Sequence, residues 1–342
     1  MLKYFEWSFG IFIVGMSLAF WRGEAAHDGA GFLFLFYAVV ICTLEISLSF
    51  DNAVINATKL EKMSPVWRRR FLTWGIAIAV FGMRFVFPIL IVSAFSGISM
   101  LEVLKLALEK PDSYAEHLER ANVGISSFGG TFLMMLFLEF MFDRKKKLHW
   151  IAPLEKALFS AGKIPFAPTI FAFLSLLLLQ IFLDTDDRIV SIIAGTIGIF
   201  LHLGIHGLSA KLERMAEHDN AFALKHAGLA AFIYLELIDA SFSLDGVLGA
   251  FALTKDVVVI AIGLAVGAFF VRSLTIVLVE RKTLDKFVYL THGAYWAIGA
   301  LAAIMLIATV REVPEILTGS LGMAFILGSA WSSRRRSARA AG

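Results

Sequence analysis

The stretch that decides the fold reads LEISLSFDNAV, at residues 44–54, and its polar residues stand among strongly apolar ones. A second stretch at residues 238–248, IDASFSLDGVL, repeats the pattern of an acid, two serines and an aspartate at the same spacing. Four polar positions coincide when the two stretches are aligned: Glu45 with Asp239, Ser47 with Ser241, Ser49 with Ser243, and Asp51 with Asp245. The chain therefore carries one acidic motif twice.

The agreement continues downstream of both motifs. Gly75 stands nine residues before Arg84, and Gly263 stands nine residues before Arg272. Both arginines lie in the apolar segment that follows the acidic one. The sequence therefore predicts two structural repeats, each with an acidic helix followed by a helix that carries an arginine.

Composition places both motifs in a membrane. Hydrophobic residues make up 58% of the 342 residues and the mean hydropathy is +0.78, whereas average soluble domains are only about 45–50% apolar. The apolar residues fall into blocks of about twenty, the length of helix that crosses a hydrocarbon core of ~30 Å. A soluble globular protein is excluded, and we expect an all-α bundle of transmembrane helices in a lipid bilayer.

Ten blocks are predicted as membrane spans. They lie at 6–21, 31–58, 71–97, 126–142, 168–183, 189–210, 222–253, 256–280, 287–309 and 313–331. Lys and Arg cluster in alternate connecting segments, for example at 68–70, 144–147 and 334–336, which predicts that both termini are cytoplasmic. Because topology explains these residues, the net charge of +3 does not indicate nucleic-acid binding. One cysteine, Cys42, excludes an intramolecular disulfide and a Cys-ligated zinc site.

The ten spans are predicted to form a single transmembrane domain over residues 1–342. Its parts are a first repeat (31–142, spans 2–4), a connector with spans 5 and 6 (143–221), a second repeat (222–309, spans 7–9), and a final span with a basic tail (310–342). The acidic spans are the second and the seventh, so they cross the membrane in opposite directions. Inverted repeats of this kind place a substrate site near the bilayer midplane, where the halves meet. Residues 101–122 are predicted as a short surface helix.

The buried acids predict a cation site. Five carboxylates lie well inside apolar segments: Glu45, Asp51, Glu236, Asp239 and Asp245. Each costs about 2.5–3.5 kcal/mol at the centre of a membrane helix. Arg84 and Arg272 offset two of the five charges, and the rest require a cation or protons. We therefore expect the acids to hold the ion and the two arginines to balance charge or gate the site.

The spacing within each motif adds a structural prediction. Glu45 and Asp51 are six residues apart, as are Asp239 and Asp245, which puts each pair on nearly opposite faces of an ideal helix. Both acids of a pair reach one site only if the helix breaks between them, and the freed carbonyls then serve as ligands. The ligands, including the Asn52 amide, are all oxygen, which suits hard cations such as Mn²⁺, Ca²⁺ and Mg²⁺. The cation is expected as the substrate, with no tightly bound cofactor.

Three other interpretations compete. In the first, the acids pair with the arginines and hold helices together, so that the protein is a membrane scaffold or a metal-dependent chaperone. In the second, two aspartates share a proton as in an intramembrane aspartyl protease. The flanks of the two aspartates read SFD and SLD rather than Tyr-Asp and Gly-x-Gly-Asp, so we expect no enzyme. In the third, His202 and His206, one helical turn apart, bind a transition metal instead of serving only in packing.

At these residues the chain resembles the TerC family of bacterial membrane proteins, which is associated with tellurium resistance and manganese export. It is most similar to a branch labelled as a conserved family of unknown function (DUF475). The first motif carries the resemblance, together with ELIDASFSLDGV at residues 236–247, where four residues fit the family pattern Glu-x-x-Asp-x-x-Phe-x-x-Asp: Glu236, Asp239, Phe242 and Asp245.

The resemblance implies a transporter of the LysE-type superfamily in the bacterial inner membrane, exporting Mn²⁺ or a similar divalent cation. No Walker motif is visible in the sequence, which indicates a secondary transporter, and the charge count is compatible with exchange for protons. The divalent cation and the lipid bilayer are the expected partners, with a homo-oligomer left open and no nucleic acid.

Overall fold

Helices make up the regular structure of this chain. A computed structural model describes residues 2–26, 28–61, 63–216, 221–311 and 313–341, and no strand occurs within these ranges. The α-helices are α1 (Glu6–Ala26), α2 (Gly31–Leu48), α3 (Phe50–Leu60), α4 (Pro65–Ala77), α5 (Phe87–Ser96), α6 (Met100–Glu109), α7 (Pro111–Phe142), α8 (Ala152–Ala161), α9 (Ala167–Leu179), α10 (Thr185–Ala216), α11 (Ala221–Leu253), α12 (Val257–Glu280), α13 (Thr283–Lys286), α14 (Leu290–Ala308) and α15 (Glu315–Ala341). A 3₁₀ turn at Leu2–Tyr4 precedes α1, and a π-helix at Ile78–Val86 joins α4 to α5.

Seven helices in the described part of the chain are long and apolar enough to cross a membrane. They are α1, α2, the continuous segment Pro65–Ala94, α7, α10 up to Leu208, α12 and α14. The ten predicted spans all coincide with helices, but ten crossings are not confirmed. The helix at 168–183 is only 13 residues long in α9, and α11 and α15 are not among these seven, since parts of both lie outside the described residues.

The outside of the bundle is apolar, as a membrane protein requires. Large side chains such as those of Trp7, Phe32, Phe182 and Trp331 are mostly exposed. Soluble monomers rarely expose apolar surface on this scale, because contact with water is unfavourable for it. Together with the seven long helices, this surface identifies an integral membrane protein.

The first acidic span is broken inside the motif, as the sequence predicts. Ser49 leaves the helical conformation (φ −99°, ψ 12°), so that α2 ends before it and α3 begins after it. The second acidic span differs from the prediction. Helix α11 runs without interruption from Ala221 to Leu253 and has no break between Asp239 and Asp245. Only one of the two predicted broken helices is therefore present.

The arginine that follows the first motif lies on irregular helix. Arg84 belongs to the π-helix Ile78–Val86, a wide helix type that is rare and frequent at functional sites. Pro88, near the start of α5, has no N–H to donate to the preceding turn. Ser243 of α11 donates instead to the carbonyl of Met83, with an Oγ–O distance of 3.4 Å. The second motif thus packs against the irregular turn of the first half.

The two halves of the chain pack crosswise. Helix α2 of the first half packs along α12 of the second, and the π-helix of the first half packs on α11. Helix α3 contacts α14, α11 contacts α7, and α7 packs along α14. The helices that carry the two motifs thus lie against helices of the other half, which brings both acidic motifs together between the halves.

Glycines permit the closest of these contacts. A Cβ added at Gly267 of α12 would lie 2.6 Å from the Cβ of Glu45, and one at Gly263 would lie 2.7 Å from the Cβ of Ile41. Helices α2 and α12 approach each other this closely only because both positions lack a side chain.

The connector at residues 101–122 differs from the single surface helix expected. Residues 101–122 were predicted as one short surface helix, but Lys110 divides them between α6 and the first turns of the 32-residue helix α7. Ser99 and Glu102 form a capping box at the start of α6. In the second connector, Glu155 of α8 is buried. Its carboxylate accepts hydrogen bonds from Lys146 and from Trp296 of α14.

Candidate cation site

Glu45 occupies the last full turn of α2 and is almost completely buried, with 1% of its surface exposed. Its Oε1 accepts a hydrogen bond from the hydroxyl of Ser49, at 3.0 Å, and forms an ion pair with Arg84. A Cβ at Gly246 of α11 would lie 2.7 Å from its Oε2. The backbone of the second motif therefore passes directly against the first acid of the first motif.

Arg84 joins the two motifs through its charge. One guanidinium nitrogen pairs with Glu45 of α2, and the other, Nη1, lies 3.6 Å from Oδ2 of Asp239 on α11. Nη1 also donates to the carbonyl of Ala79 in its own helix. The guanidinium is almost fully buried, so its charge acts on both carboxylates with little screening by water. Arg84 thus lies between acids of both motifs.

Asn52 forms a second link between the motifs. Its side-chain Nδ2 donates to Oδ1 of Asp239 at 2.6 Å, while its Oδ1 is buried and has no hydrogen-bond partner. The preceding residue, Asp51, is buried in the first turn of α3, and its Oδ1 accepts from the backbone N–H of Asn52 at 3.0 Å. The helix break thus brings a carboxylate and an amide to the N-terminus of α3, where the helix dipole favours negative charge.

Among the four site acids whose side chains are described, Glu236 is the one that makes no hydrogen bond. It is 7% exposed, and neither of its carboxylate oxygens makes a hydrogen bond. A Cβ on Gly75 of α4 would lie 2.9 Å from its Oε1, so the absence of a side chain there makes room for the carboxylate. A buried carboxylate in this state is strongly unfavourable unless it binds a cation or a proton.

A small cavity of about 40 Å³ lies beside Glu236. Its wall is formed by the polar side chains of Asn56, Arg84, Glu236, Asp239 and Arg272, with apolar residues between them. A single water needs about 10–15 Å³ by this measure, so the cavity has room for an ion or a few waters. The cavity brings the acids of α11 together with the arginines of both halves.

Arg272 plays a different part from Arg84. Its Nη2 donates to the carbonyl of Phe71 at 2.5 Å, and its guanidinium lies over the ring of Phe71, 4.8 Å from the centroid. Among the described ion pairs Arg272 has none, although it lines the same cavity as Glu236. The two arginines are therefore not equivalent: one is paired with acids and the other is held by backbone and aromatic contacts.

Four of the five predicted acids and Asn52 have described surroundings. The side chain of the fifth, Asp245, lies outside the described part of the chain, as do those of residues 213–227. Asn56 is the residue that sequence reasoning missed. It lies one turn after Asn52 in α3, lines the cavity, and buries an amide oxygen that has no partner. A second amide on an apolar helix was the signal that would have identified it.

The charges around the cavity do not cancel. Glu45, Glu236 and Asp239 lie beside the guanidiniums of Arg84 and Arg272, and Asp51 is buried in the first turn of α3, so that two negative charges remain if all four acids are ionised. Uncompensated negative charge inside a membrane is costly, which favours uptake of a cation or of protons. Every donor atom that the described acids and amides offer to an ion is oxygen, the ligand type of hard cations.

These features define the class: an integral-membrane helix bundle with a buried carboxylate site between two halves that carry the same motif. The chain belongs to the family described as "Protein of unknown function (DUF475)", which matches residues 50–340. That match begins within the first acidic motif and contains the whole of the second. No curated protein and no solved structure matched the chain.

Proposed function

We propose that this protein is a secondary transporter that exports a hard divalent cation, with Mn²⁺ as the first candidate. The ion binds to carboxylate and amide oxygens of Glu45, Asp51, Asn52, Glu236 and Asp239, together with Asp245. The observation that carries the proposal is Glu236, a buried carboxylate with two unpartnered oxygens beside a cavity large enough for an ion.

The arrangement of helices supports transport rather than static binding. The acids of α11 meet the broken helix α2–α3, and the crosswise packing of the two halves is the pattern that inverted repeats produce. In inverted-repeat transporters a site between the halves is exposed to each side in turn as one half moves against the other. We propose the same relation here, with ten crossings of the bacterial inner membrane and both termini in the cytoplasm.

Protons offer a means of coupling. A carboxylate that gives up a proton when the metal arrives, and regains it when the metal leaves, keeps the buried charge nearly constant through the cycle. Glu236 and Asp239 are one turn apart on α11, and each has an oxygen without a hydrogen bond. These two acids are therefore the ones that we assign to proton exchange.

A membrane scaffold or metal-dependent chaperone is the second candidate. The ion pairs of Arg84 with Glu45 and Asp239 favour it, because they tie three helical segments together without any ion. The two proposals differ at Glu236, which makes no hydrogen bond and whose oxygens do not hold the helices together.

The test is ⁵⁴Mn²⁺ flux into proteoliposomes that contain the purified protein. Wild-type vesicles are expected to take up the ion, and Glu236→Gln, Asp51→Asn and Asp245→Asn are expected to abolish uptake. Glu109→Gln, the same chemical change at an exposed position of α6, is the matched control and retains flux. Equal ⁵⁴Mn²⁺ uptake by wild-type and protein-free vesicles would contradict manganese transport. Uptake that survives the three substitutions would show that these residues do not form the transport site.

A stability measurement separates the two candidates. Removal of an uncompensated buried charge by Glu236→Gln is expected to leave the apo protein as stable as the wild type or more so, while flux is lost. A scaffold role for Glu236 predicts the reverse, with lower stability and no flux in any variant. Thermal unfolding in detergent, with and without Mn²⁺, distinguishes these results.

A further inference from the structure

A second group of metal-ligating side chains lies between α7 and α10. Glu139, in the last turn of α7, faces His202 and His206, which follow one another by one turn on α10. Oε2 of Glu139 lies 3.0 Å from Nε2 of His202 and 3.3 Å from Nδ1 of His206. One donor atom from each of the three residues lies within 4.8 Å of the other two. The tertiary structure thus adds a carboxylate to the histidine pair that the sequence indicated.

The burial of His202 indicates that this cluster binds a ligand. Its side chain is fully buried, and neither ring nitrogen has a hydrogen-bond partner among the described residues, although Nε2 lies 3.0 Å from Oε2 of Glu139. Its ring is held edge-on by Phe132 and Tyr234, with centroid distances of 5.2 and 5.8 Å. Burial of a polar ring that is not fully hydrogen-bonded is unfavourable, and a metal ion held between Nε2 and Glu139 would offset part of that cost.

The dimensions of the cluster suit a metal ion. Zn²⁺ binds histidine nitrogen and carboxylate oxygen at about 2.0–2.2 Å, which places the ligands of a tetrahedral site about 3.4 Å apart. The two distances from Glu139 are close to this value. His206 is 49% exposed on its side chain, so the fourth position faces outward and is open to water or an additional ligand. The imidazole rings lie parallel, 6.0 Å apart, as two ligands one turn apart on one helix face.

We propose that Glu139, His202 and His206 form a second metal site, specific for borderline divalent ions such as Zn²⁺ and Co²⁺. Two nitrogens and one oxygen distinguish this site from the oxygen-only cavity around Glu236, which suits harder cations. A bound ion joins α7 to α10 directly. Because α7 also packs on α11 and α14, the ion stabilises the helix layer that supports the first site.

The alternative is a contact between α7 and α10 that needs no metal. In that case Glu139 only neutralises or orients the histidines, and the cluster contributes to helix packing alone. The two roles differ in one measurable property, which is the retention of one equivalent of a nitrogen-ligated metal by the purified protein.

The experiment uses the full-length protein in detergent after treatment with a chelator. Co²⁺ is titrated and followed by its visible absorption, which reports coordination by nitrogen and a low coordination number, and Zn²⁺ affinity is measured by competition and calorimetry. We expect one equivalent to bind to the wild type. His206→Ala and Glu139→Gln are expected to weaken binding by at least about tenfold, the range that lost metal contacts produce.

Two control variants test whether the bound metal lies at the Glu139, His202 and His206 cluster. His117→Ala removes a histidine from α7 outside the cluster, and Glu236→Gln changes the oxygen site; both are expected to keep the Co²⁺ spectrum and the Zn²⁺ affinity of the wild type. Zn²⁺ is also expected to raise the unfolding temperature of the wild type and of both controls, but not of His206→Ala. His206 is half exposed, so its substitution is compatible with folding.

Three results would overturn the proposal. The first is a wild type that binds no Co²⁺. The second is Co²⁺ binding by His206→Ala and Glu139→Gln that equals binding by the wild type. The third is loss of the Co²⁺ spectrum in Glu236→Gln with its retention in His206→Ala. The last result would assign the ion to the oxygen site instead. Loss of binding in the two cluster variants, with retention in both controls, supports the second site.

Discussion

Asn52 and Asp239 meet across the two halves of the chain, with 2.6 Å between Nδ2 of the amide and Oδ1 of the carboxylate. Asn52 directly follows the aspartate of the first motif, and Asp239 is the first acid of the second. The second motif has Gly246 at the position of Asn52, so the halves contribute unequally to this contact. This hydrogen bond therefore connects the two copies through an amide that the second copy lacks.

The first prediction concerns this hydrogen bond. Asn52→Ala leaves Oδ1 of Asp239 without its buried donor, which is expected to lower the free energy of unfolding by about 1–3 kcal/mol. Thermal unfolding in detergent, followed by circular dichroism, measures the change. Ser47→Ala, which removes an exposed hydroxyl that bonds only within α2, is the control and is expected to behave as the wild type. Equal unfolding temperatures for the two variants would contradict the contact.

The second prediction concerns the ion pair of Arg84 and Glu45. Arg84→Met leaves the buried Glu45 and the partly buried Asp239 without their cation, and breaking a buried pair in this way costs about 3–5 kcal/mol. The additional change Glu45→Gln is expected to restore part of the loss, because it removes one uncompensated charge. A double-mutant cycle on unfolding free energies measures the coupling. Additive effects of the two changes would show that the residues do not interact.

The third prediction concerns the close approach of α2 and α12. A Cβ at Gly267 would lie 2.6 Å from the Cβ and Cγ of Glu45 and 3.1 Å from the carbonyl oxygen of Cys42. Gly267→Ala therefore forces the helices apart and is expected to destabilise the protein by about 1–3 kcal/mol. Gly204 of α10 has open space around the same position, so Gly204→Ala is the matched control. It is expected to raise stability by about 0.5–1 kcal/mol through better helix propensity. Equal changes in unfolding free energy for Gly267→Ala and Gly204→Ala would contradict the close approach of α2 and α12.

The fourth prediction concerns pH and the connector helix α8. Burial acts to raise the pKa of Glu155, but hydrogen bonds from His292 and Trp296 and the charge of Lys146 hold it well below the ordinary value of 4.5. A depressed pKa means that the folded state binds the proton less readily than the unfolded state. The stability that Glu155 contributes is therefore fully present above about pH 4.5 and is lost as the pH falls below it.

Unfolding temperatures measured from pH 7 down to pH 3 test this directly. Glu155→Gln is expected to unfold at a lower temperature than the wild type at neutral pH, with the difference shrinking in acid. His149 lies 3.4 Å from the same carboxylate, so Glu155→Gln also removes its partner. Glu109→Gln, an exposed carboxylate substitution, is expected to follow the wild-type curve throughout. A wild-type curve parallel to that of Glu155→Gln would mean that the carboxylate does not titrate with folding.

Much of the architecture followed from local sequence. Blocks of apolar residues predicted the helices, because the length and polarity of a membrane helix depend on its own residues. The six-residue spacing of Glu45 and Asp51 predicted the break that Ser49 provides. The ten-span count was less secure, because a short helix such as α9 satisfies hydropathy without the length to cross.

The sequence by itself determined that acids would be buried in helices, and that the same motif occurs in each half. Tertiary structure alone decided which of those acids found partners. Arg84 pairs with Glu45 and Asp239, whereas Glu236 has no hydrogen bond. It also decided that α11 stays unbroken and that Glu139 reaches His202. The reason is physical: helix formation depends on neighbours in the chain, while charge pairing depends on packing between helices far apart in sequence.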